Sequence, residues 1–85
     1  MARVLAVTER RVEAPTRAAY LAEVAVRQDK AASDGAHFWV FEHAVESGRF
    51  IEFTEGSTDA SVRAVAGPYA TDGAPLALWR EVQGG

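Results

Sequence analysis

Cysteine is absent from the 85-residue chain, and its absence excludes disulfide staples, thiolate metal ligands and cysteine nucleophiles. No apolar run approaches the roughly 20 residues that span a bilayer, so no membrane partner is expected. No block of lysine and arginine occurs either. Acidic residues outnumber basic ones by 12 to 9, with both signs mixed along the chain, and this balance argues against nucleic acid as a partner. Nothing resembles a nucleophile elbow, and the glycines form no phosphate loop, so covalent serine chemistry and nucleotide binding have no basis. The composition that is present is globular: 48% of residues are hydrophobic, which places the chain well away from disorder.

The length suits one domain, residues 1–85, with a single core. A monomer of this size buries only roughly 60–65% of its unfolded surface. Small domains gain the missing stability from disulfides, metals or self-association, and self-association is the common route left here. The stretch Met1-Ala2-Arg3-Val4-Leu5-Ala6-Val7 reads as a strand rather than a secretory leader. A soluble, cytoplasmic protein is the resulting default expectation.

Along the chain, Arg3 to Val12 alternates like a first strand whose far end, Glu9-Arg10-Arg11, is read as a solvated strand terminus. Pro15 marks a first helical position, and a helix is expected from Thr16 to about Ala32. Its apolar stripe is Leu21, Val24, Ala25, Gln28 and Ala32, extended by Ala18, with Glu23 and Arg27 paired on the outer side. Asp34-Gly35 is a stop signal. His37 to Val45 is the strongest strand, and Arg49 to Glu55 forms the next. Ser47-Gly48 would join them as a two-residue hairpin loop. Ser57 or Thr58 caps a short helix over Ala60 to Ala66, packed through Val62 and Val65 or Ala66, and Gly67-Pro68 ends it. A loop from Tyr69 to Pro75 leads to a last strand, Leu76 to Val82. The order is β-α-β-β-α-β: an α+β domain with a four-stranded antiparallel sheet and two helices on one face.

A two-residue loop at Ser47-Gly48 would pair Val45 with Phe50, His43 with Glu52 and Phe41 with Thr54. Directly paired residues share a face. Phe38, Val40, Ala44, Ile51 and Phe53 would then lie under the helices, with Glu42 and Glu55. His37, Trp39, Phe41, His43, Val45, Phe50, Glu52 and Thr54 would lie on the other face. That face is too aromatic for water and too polar for a dry core. Helices on one side cannot cover it, whereas a second copy of the chain can.

The strand Phe38-Trp39-Val40-Phe41-Glu42, the segment Arg49-Phe50-Ile51-Glu52-Phe53-Thr54-Glu55-Gly56 and the short helix after Ser57 carry a resemblance. In these residues and in element order the chain resembles the dimeric α/β-barrel superfamily, of ferredoxin-like fold, which includes the small antibiotic-biosynthesis-type monooxygenases. The resemblance implies a homodimer in which two sheets face each other and enclose a pocket. Some members oxidise quinol-like or polycyclic aromatic compounds without a cofactor, and others degrade haem. The short second helix holds no histidine and the chain has no asparagine, so the asparagine-tryptophan-histidine set of the haem-degrading members does not carry over. No catalytic motif transfers residue by residue, and no cofactor is expected.

The candidate site is therefore read from the strands. Glu52 beside His43 would orient the imidazole as a general base, while the blander reading is a cross-strand polar pair. Trp39 and Phe41, with Thr54, would line a site for a flat apolar ligand, although dimer core is the favoured reading of the two aromatics, and both hold if the pocket lies at the edge of the interface. Trp79 and Tyr69 are further candidates for pocket wall or dimer contact. His37 and His43 stand roughly 20 Å apart along one strand at about 3.3 Å per residue, too far to share a metal ion. One expectation is a small-molecule-binding domain acting as a cofactor-independent monooxygenase or isomerase on a small aromatic or polyketide-like compound. The alternative is a non-catalytic binding, accessory or dimerisation module of the same fold.

Overall fold

Strand β1 is Val4–Arg11, and its even-numbered side chains Val4 and Ala6 are buried while Leu5 and Val7 are only half-covered. The computed structural model describes residues 3–70 and 76–84. After β1, Pro15 opens a single 3-10 turn, Ala14–Thr16, that leads into helix α1, Arg17–Ser33. Gly35 follows with φ +73°, the left-handed position that closes a helix, and Ala36 returns its N–H to the Ala31 carbonyl at 2.8 Å. Strands β2, His37–Glu42, and β3, Arg49–Gly56, come next. Thr58 caps helix α2, Asp59–Ala66, by accepting the Ser61 N–H at 3.1 Å. A Gly67–Tyr69 turn ends it, and β4 is the short Leu78–Arg80. The expected loop from Tyr69 to Pro75 lies largely outside the described residues.

The strands form one antiparallel sheet in the order β2-β3-β1-β4, the ferredoxin-like arrangement. Both helices cover the same face. Under α2, Val4 and Ala6 pack with Val62 and Ala66, flanked by Leu76 and Leu78. Beside them Ala31, Ala36, Phe38 and Val65 pack together, flanked by Val24 and Val40. Alanine at positions 31 and 36 lets α1 lie close to β2.

Three expectations are corrected. The β2–β3 connection is not a two-residue loop: β2 stops at Glu42, and the chain runs His43 to Gly48 before pairing resumes. Side chains cause this. The His43 Nδ1 accepts the Val45 and Glu46 N–H groups at 3.1 and 2.9 Å, and the Glu42 carboxylate accepts the Gly48 N–H at 2.9 Å. Phe41 consequently pairs with Ile51 and Val40 with Glu52, three positions from the expected register. An odd shift exchanges faces. Phe50, Glu52 and Thr54 therefore turn under the helices, while Ile51 and Phe53 join Trp39 and Phe41 on the open side.

The second correction concerns α1. Its buried stripe is Tyr20, Arg27 and Ala31, with Val24 half-buried; Leu21, Ala25, Gln28 and Ala32 face outward. Arg27 is a core residue rather than the outer partner of Glu23. The third concerns Arg10, whose side chain enters the interior instead of ending in water.

Gly48 shows how tightly the loop is seated. Its φ is +83°, and a Cβ there would sit 2.4 Å from the Val12 carbonyl oxygen, whereas one at Gly35 would meet nothing. Gly35→Ala carries only the left-handed backbone cost of about 1 kcal/mol. Gly48→Ala adds a backbone collision and is expected to cost roughly 2–3 kcal/mol. Urea unfolding of the two variants side by side checks this. Equal losses would mean that the loop moves freely away from Val12.

Candidate functional site

The two faces of β3 hold different chemistry. On the helix side, Glu52 is 1% exposed at the centre of a polar cluster. Its carboxylate accepts the Tyr20 hydroxyl at 2.5 Å, Arg27 Nη1 at 3.0 Å, Arg10 Nε at 3.1 Å and the Thr8 hydroxyl at 3.0 Å. Arg27, itself 5% exposed, has its guanidinium between the Phe38 and Tyr69 rings, 4.2 and 3.9 Å from their centroids. Arg10 also donates to the Tyr69 carbonyl at 2.7 Å. Among the described residues no buried side-chain polar atom lacks a partner. Burial alone would push the Glu52 carboxyl up, but the Tyr20 hydroxyl and the two guanidiniums outweigh it and hold the group below its ordinary value. Burial, and then the adjacent carboxylate, pushes the Tyr20 phenol up. A carboxylate so fully engaged is a structural anion, with no free lone pair for a substrate.

His43 stands apart from it. It follows the end of β2 as an exposed loop residue, its N–H paired with the Arg49 carbonyl and its Nδ1 occupied by the loop backbone. It borders a shallow groove of about 210 Å³ with Glu9, Glu42, Arg49, Phe50 and Ile51. The structure does not bring His43 and Glu52 together, so the orienting pair expected between them is absent. Thr54 is buried on the helix side, opposite Phe38, away from Trp39 and Phe41. Tyr69 belongs to the arginine stack rather than to the sheet surface.

The open side is built in rows across the strands. His37, Glu55, Leu5 and Trp79 form one row; Trp39, Phe53 and Val7 form the next; Phe41, Ile51 and Glu9 form a third. Trp39, Phe41 and Trp79 are 41%, 58% and 60% exposed. The His37 ring stacks on Trp39 at 5.7 Å with an 8° interplanar angle, and Phe41 meets Phe53 edge-on, also at 5.7 Å. Charges of both signs rim the patch. At one end Arg3 bridges Glu55 and Glu81 at 3.4 and 2.7 Å. At the other Arg49 bridges Glu9 and Glu46 at 3.1 and 3.5 Å, and Arg11 reaches Glu46 at 3.5 Å.

Sequence reading found Trp39, Phe41 and the outward His37, because parity within one strand needs no partner. It missed Tyr20, Arg27 and Arg10, since a search for apolar periodicity passes over charged residues. The available signal was Glu52 in mid-strand, together with a tyrosine and an arginine spaced seven apart on the helix. Among the described residues no group of three or more metal-ligating side chains comes together, and no helix is long and apolar enough to cross a membrane. Comparison of the chain with protein-family models, curated proteins and solved structures finds no match.

The Glu52 cluster leads to two expected outcomes. Glu52→Ala leaves Arg27 buried without its counter-charge and is expected to cost about 3–5 kcal/mol in urea unfolding at pH 7; a loss under about 1 kcal/mol would show the cluster to be incidental. The pH dependence follows from the same group. Its pKa is depressed on folding, so its contribution is complete above the ordinary carboxylate range and is lost as pH falls through the folded value. Glu42 acts in the same direction. Arg17, hydrogen-bonded to it at 2.5 and 2.7 Å, and the Gly48 N–H lower its pKa to about 2, so its share disappears between the ordinary carboxylate range and pH 2. Thermal melts from pH 7 down to pH 2 should show falling stability, with a shallower slope in Glu52→Gln. Identical slopes in the two proteins would remove Glu52 from the account.

Proposed function

We propose that the chain is a small-molecule-binding domain that pairs with a second copy through its open sheet face, the two sheets enclosing a flat apolar ligand. One observation carries this reading. The domain buries a carboxylate and an arginine while Trp39, Phe41, Ile51, Phe53, Trp79, Leu5 and Val7 gather on the uncovered side. An isolated domain gains nothing from that distribution, because each aromatic left about half exposed forgoes roughly 1 kcal/mol of burial. Covering the face recovers it.

Size and charge suit a second copy as the cover. Four strands at about 4.8 Å spacing, and three rows repeating every 6–7 Å along them, span about 380 Å² in projection. Side-chain relief and the charged rim bring this towards the roughly 800 Å² per partner of a standard interface. A two-fold contact sets the patch against itself, so a rim of one sign would repel its own copy. Here Arg3, Arg11 and Arg49 alternate with Glu9, Glu46, Glu55 and Glu81. The resemblance to the dimeric α/β-barrel superfamily supports the same pairing, and a cytoplasmic location accompanies it. Cofactor-independent oxygenase or isomerase chemistry is the catalytic form of this reading. It requires a proton acceptor on the open side, a place that Glu52 does not occupy. The non-catalytic form, a binding or dimerisation module, draws support from the full engagement of Glu52.

Sedimentation velocity at micromolar concentration is expected to give a dimer. Trp39→Asp places a charge in the middle row and should weaken association by at least about thirtyfold, about 2 kcal/mol. A stable monomer of the unaltered chain, or a Trp39→Asp dimer of undiminished affinity, would reject the open face as the interface.

A further inference from the structure

The two edges of the sheet differ. β4 is three residues long, and its exit is tied down by the Arg3–Glu81 ion pair at 2.7 Å. β2 runs six residues, His37–Glu42, in unbroken register with β3. It carries no proline, lysine or bulge, the features that guard an edge against another strand. Its hydrogen bonds to β3 come from the odd-numbered residues, because the His43 N–H meets the Arg49 carbonyl and bonded pairs alternate from there. Phe38, Val40 and Glu42 therefore turn their N–H and C=O groups to the free edge.

The helix beside that edge is left uncovered in the same direction. Arg17 reaches Glu42 on β2 at 2.7 Å, whereas Ala19 and Glu23 border a groove towards β1 with Arg11 and Val12. Leu21, Gln28 and Ala32 share the flank of Arg17, with Ala18 and Ala25 beside them, so this exposed stripe overhangs β2. It is the stripe that helical periodicity picks out as apolar and that the rotation of α1 leaves outside.

We infer that a second copy of the chain covers both, joining β2 to β2 antiparallel about a two-fold axis at Val40 and setting α1 against α1. With Val40 opposite Val40 and Phe38 opposite Glu42, every outward N–H and C=O of the three residues gains a partner. The same register puts Trp39 of each copy opposite Phe41 of the other, in the non-hydrogen-bonded positions where cross-strand side chains come closest. The helices fit as well. α1 lies over the space between β2 and β3, since Ala31 packs with Phe38 and Tyr20 with Phe50. An axis just beyond β2 then holds the two helices roughly 9–10 Å apart, and two strand twists cross them at about −45°. These are the distance and angle of packed helices, reached here because Ala18, Ala25 and Ala32 offer little bulk. Built from the main chain of β2 and the outer flank of α1, the contact stands independently of the face pairing proposed above. Its helix side offers one leucine and several alanines, so it forms at higher concentration than a contact between aromatic faces.

Sedimentation equilibrium from about 10 μM to about 1 mM tests it, with circular dichroism to check that each variant folds. The mass of the unaltered chain is expected to double across that range, whatever species stands at its lower end. Ala25→Arg adds bulk where the helices cross, and should keep the low-concentration species while weakening the doubling at least about tenfold. Val40→Pro removes an N–H that serves only the outer edge, leaves the hydrogen bonds to β3 in place, and should weaken the doubling likewise. If Val40→Pro does not fold, Ala25→Arg alone decides. A mass that does not double overturns the inference, and so does doubling that the folded variants retain. A chain that does not double but takes up a fluorescein-labelled peptide of residues 37–42, read by anisotropy, would make the edge a peptide site and overturn self-pairing. A chain that is monomeric at the lower concentration rejects face pairing, and its doubling to a dimer would still uphold the edge contact.

Discussion

One carboxylate removed from water constrains the rest of this domain. Desolvating an ion costs several kcal/mol even after relaxation, and only close counter-charges and hydrogen bonds offset that. Glu52 takes its hydrogen bonds from Thr8 and Arg10 on β1 and from Tyr20 and Arg27 on α1. A single side chain on β3 thereby fixes its neighbouring strand and the rotation of the long helix. Tyr69 extends the connection past α2 by covering the Arg27 guanidinium and accepting from Arg10. The apolar clusters under α1 and α2 are small and alanine-rich, so packing alone would orient α1 weakly. Charge-assisted bonds, which are directional, supply the orientation.

The rotation of α1 has a visible consequence. With Tyr20, Arg27 and Ala31 turned inward, Leu21 and Val26 are left outside at 44% and 64% exposure. A helix governed only by apolar contact would have turned Leu21 and Ala25 to the sheet. Arg27 tolerates the interior because its flat cation is covered on both sides by rings and paired at its edge, an arrangement that a lysine could not reproduce.

The residues that announced themselves in sequence were those whose effect is local. Pro15 opened the first helix, Gly35 closed it, Thr58 capped the second, and Gly67-Pro68 ended it. Element order and fold class followed from these signals. Strand parity placed Trp39 and Phe41 outward because alternation is internal to β2. Register was not legible, because it depends on where β2 stops. Glu42 and His43 end it by accepting backbone N–H groups of the loop, so the visible Ser47-Gly48 signal marks only the last two residues of a longer connection. Because that shift is odd, one misplaced loop moved Glu52 and Thr54, two of the five candidate-site residues, from the core to the surface in the expected arrangement.

The two faces of β3 are coupled by the pleat, and this links the buried charge to the exposed aromatics. Turning Glu52 inward obliges Ile51 and Phe53 to turn outward. The opposite arrangement would bury Ile51 and Phe53 and return Glu52 to water, and for a solitary domain it is the more favourable on transfer grounds alone. The chain instead specifies the costlier face choice, with four donors around Glu52 and a side-chain-locked loop holding the register. Such investment is coherent when the outward face is also buried, since the aromatics then contribute their full transfer energy and the charge cluster serves to prevent the strand from flipping. Specificity of register is among the best attested uses of a buried polar group. On that argument the ionic core and the aromatic surface are one device: the first selects which face of β3 turns outward, and the second is the face left uncovered by the helices.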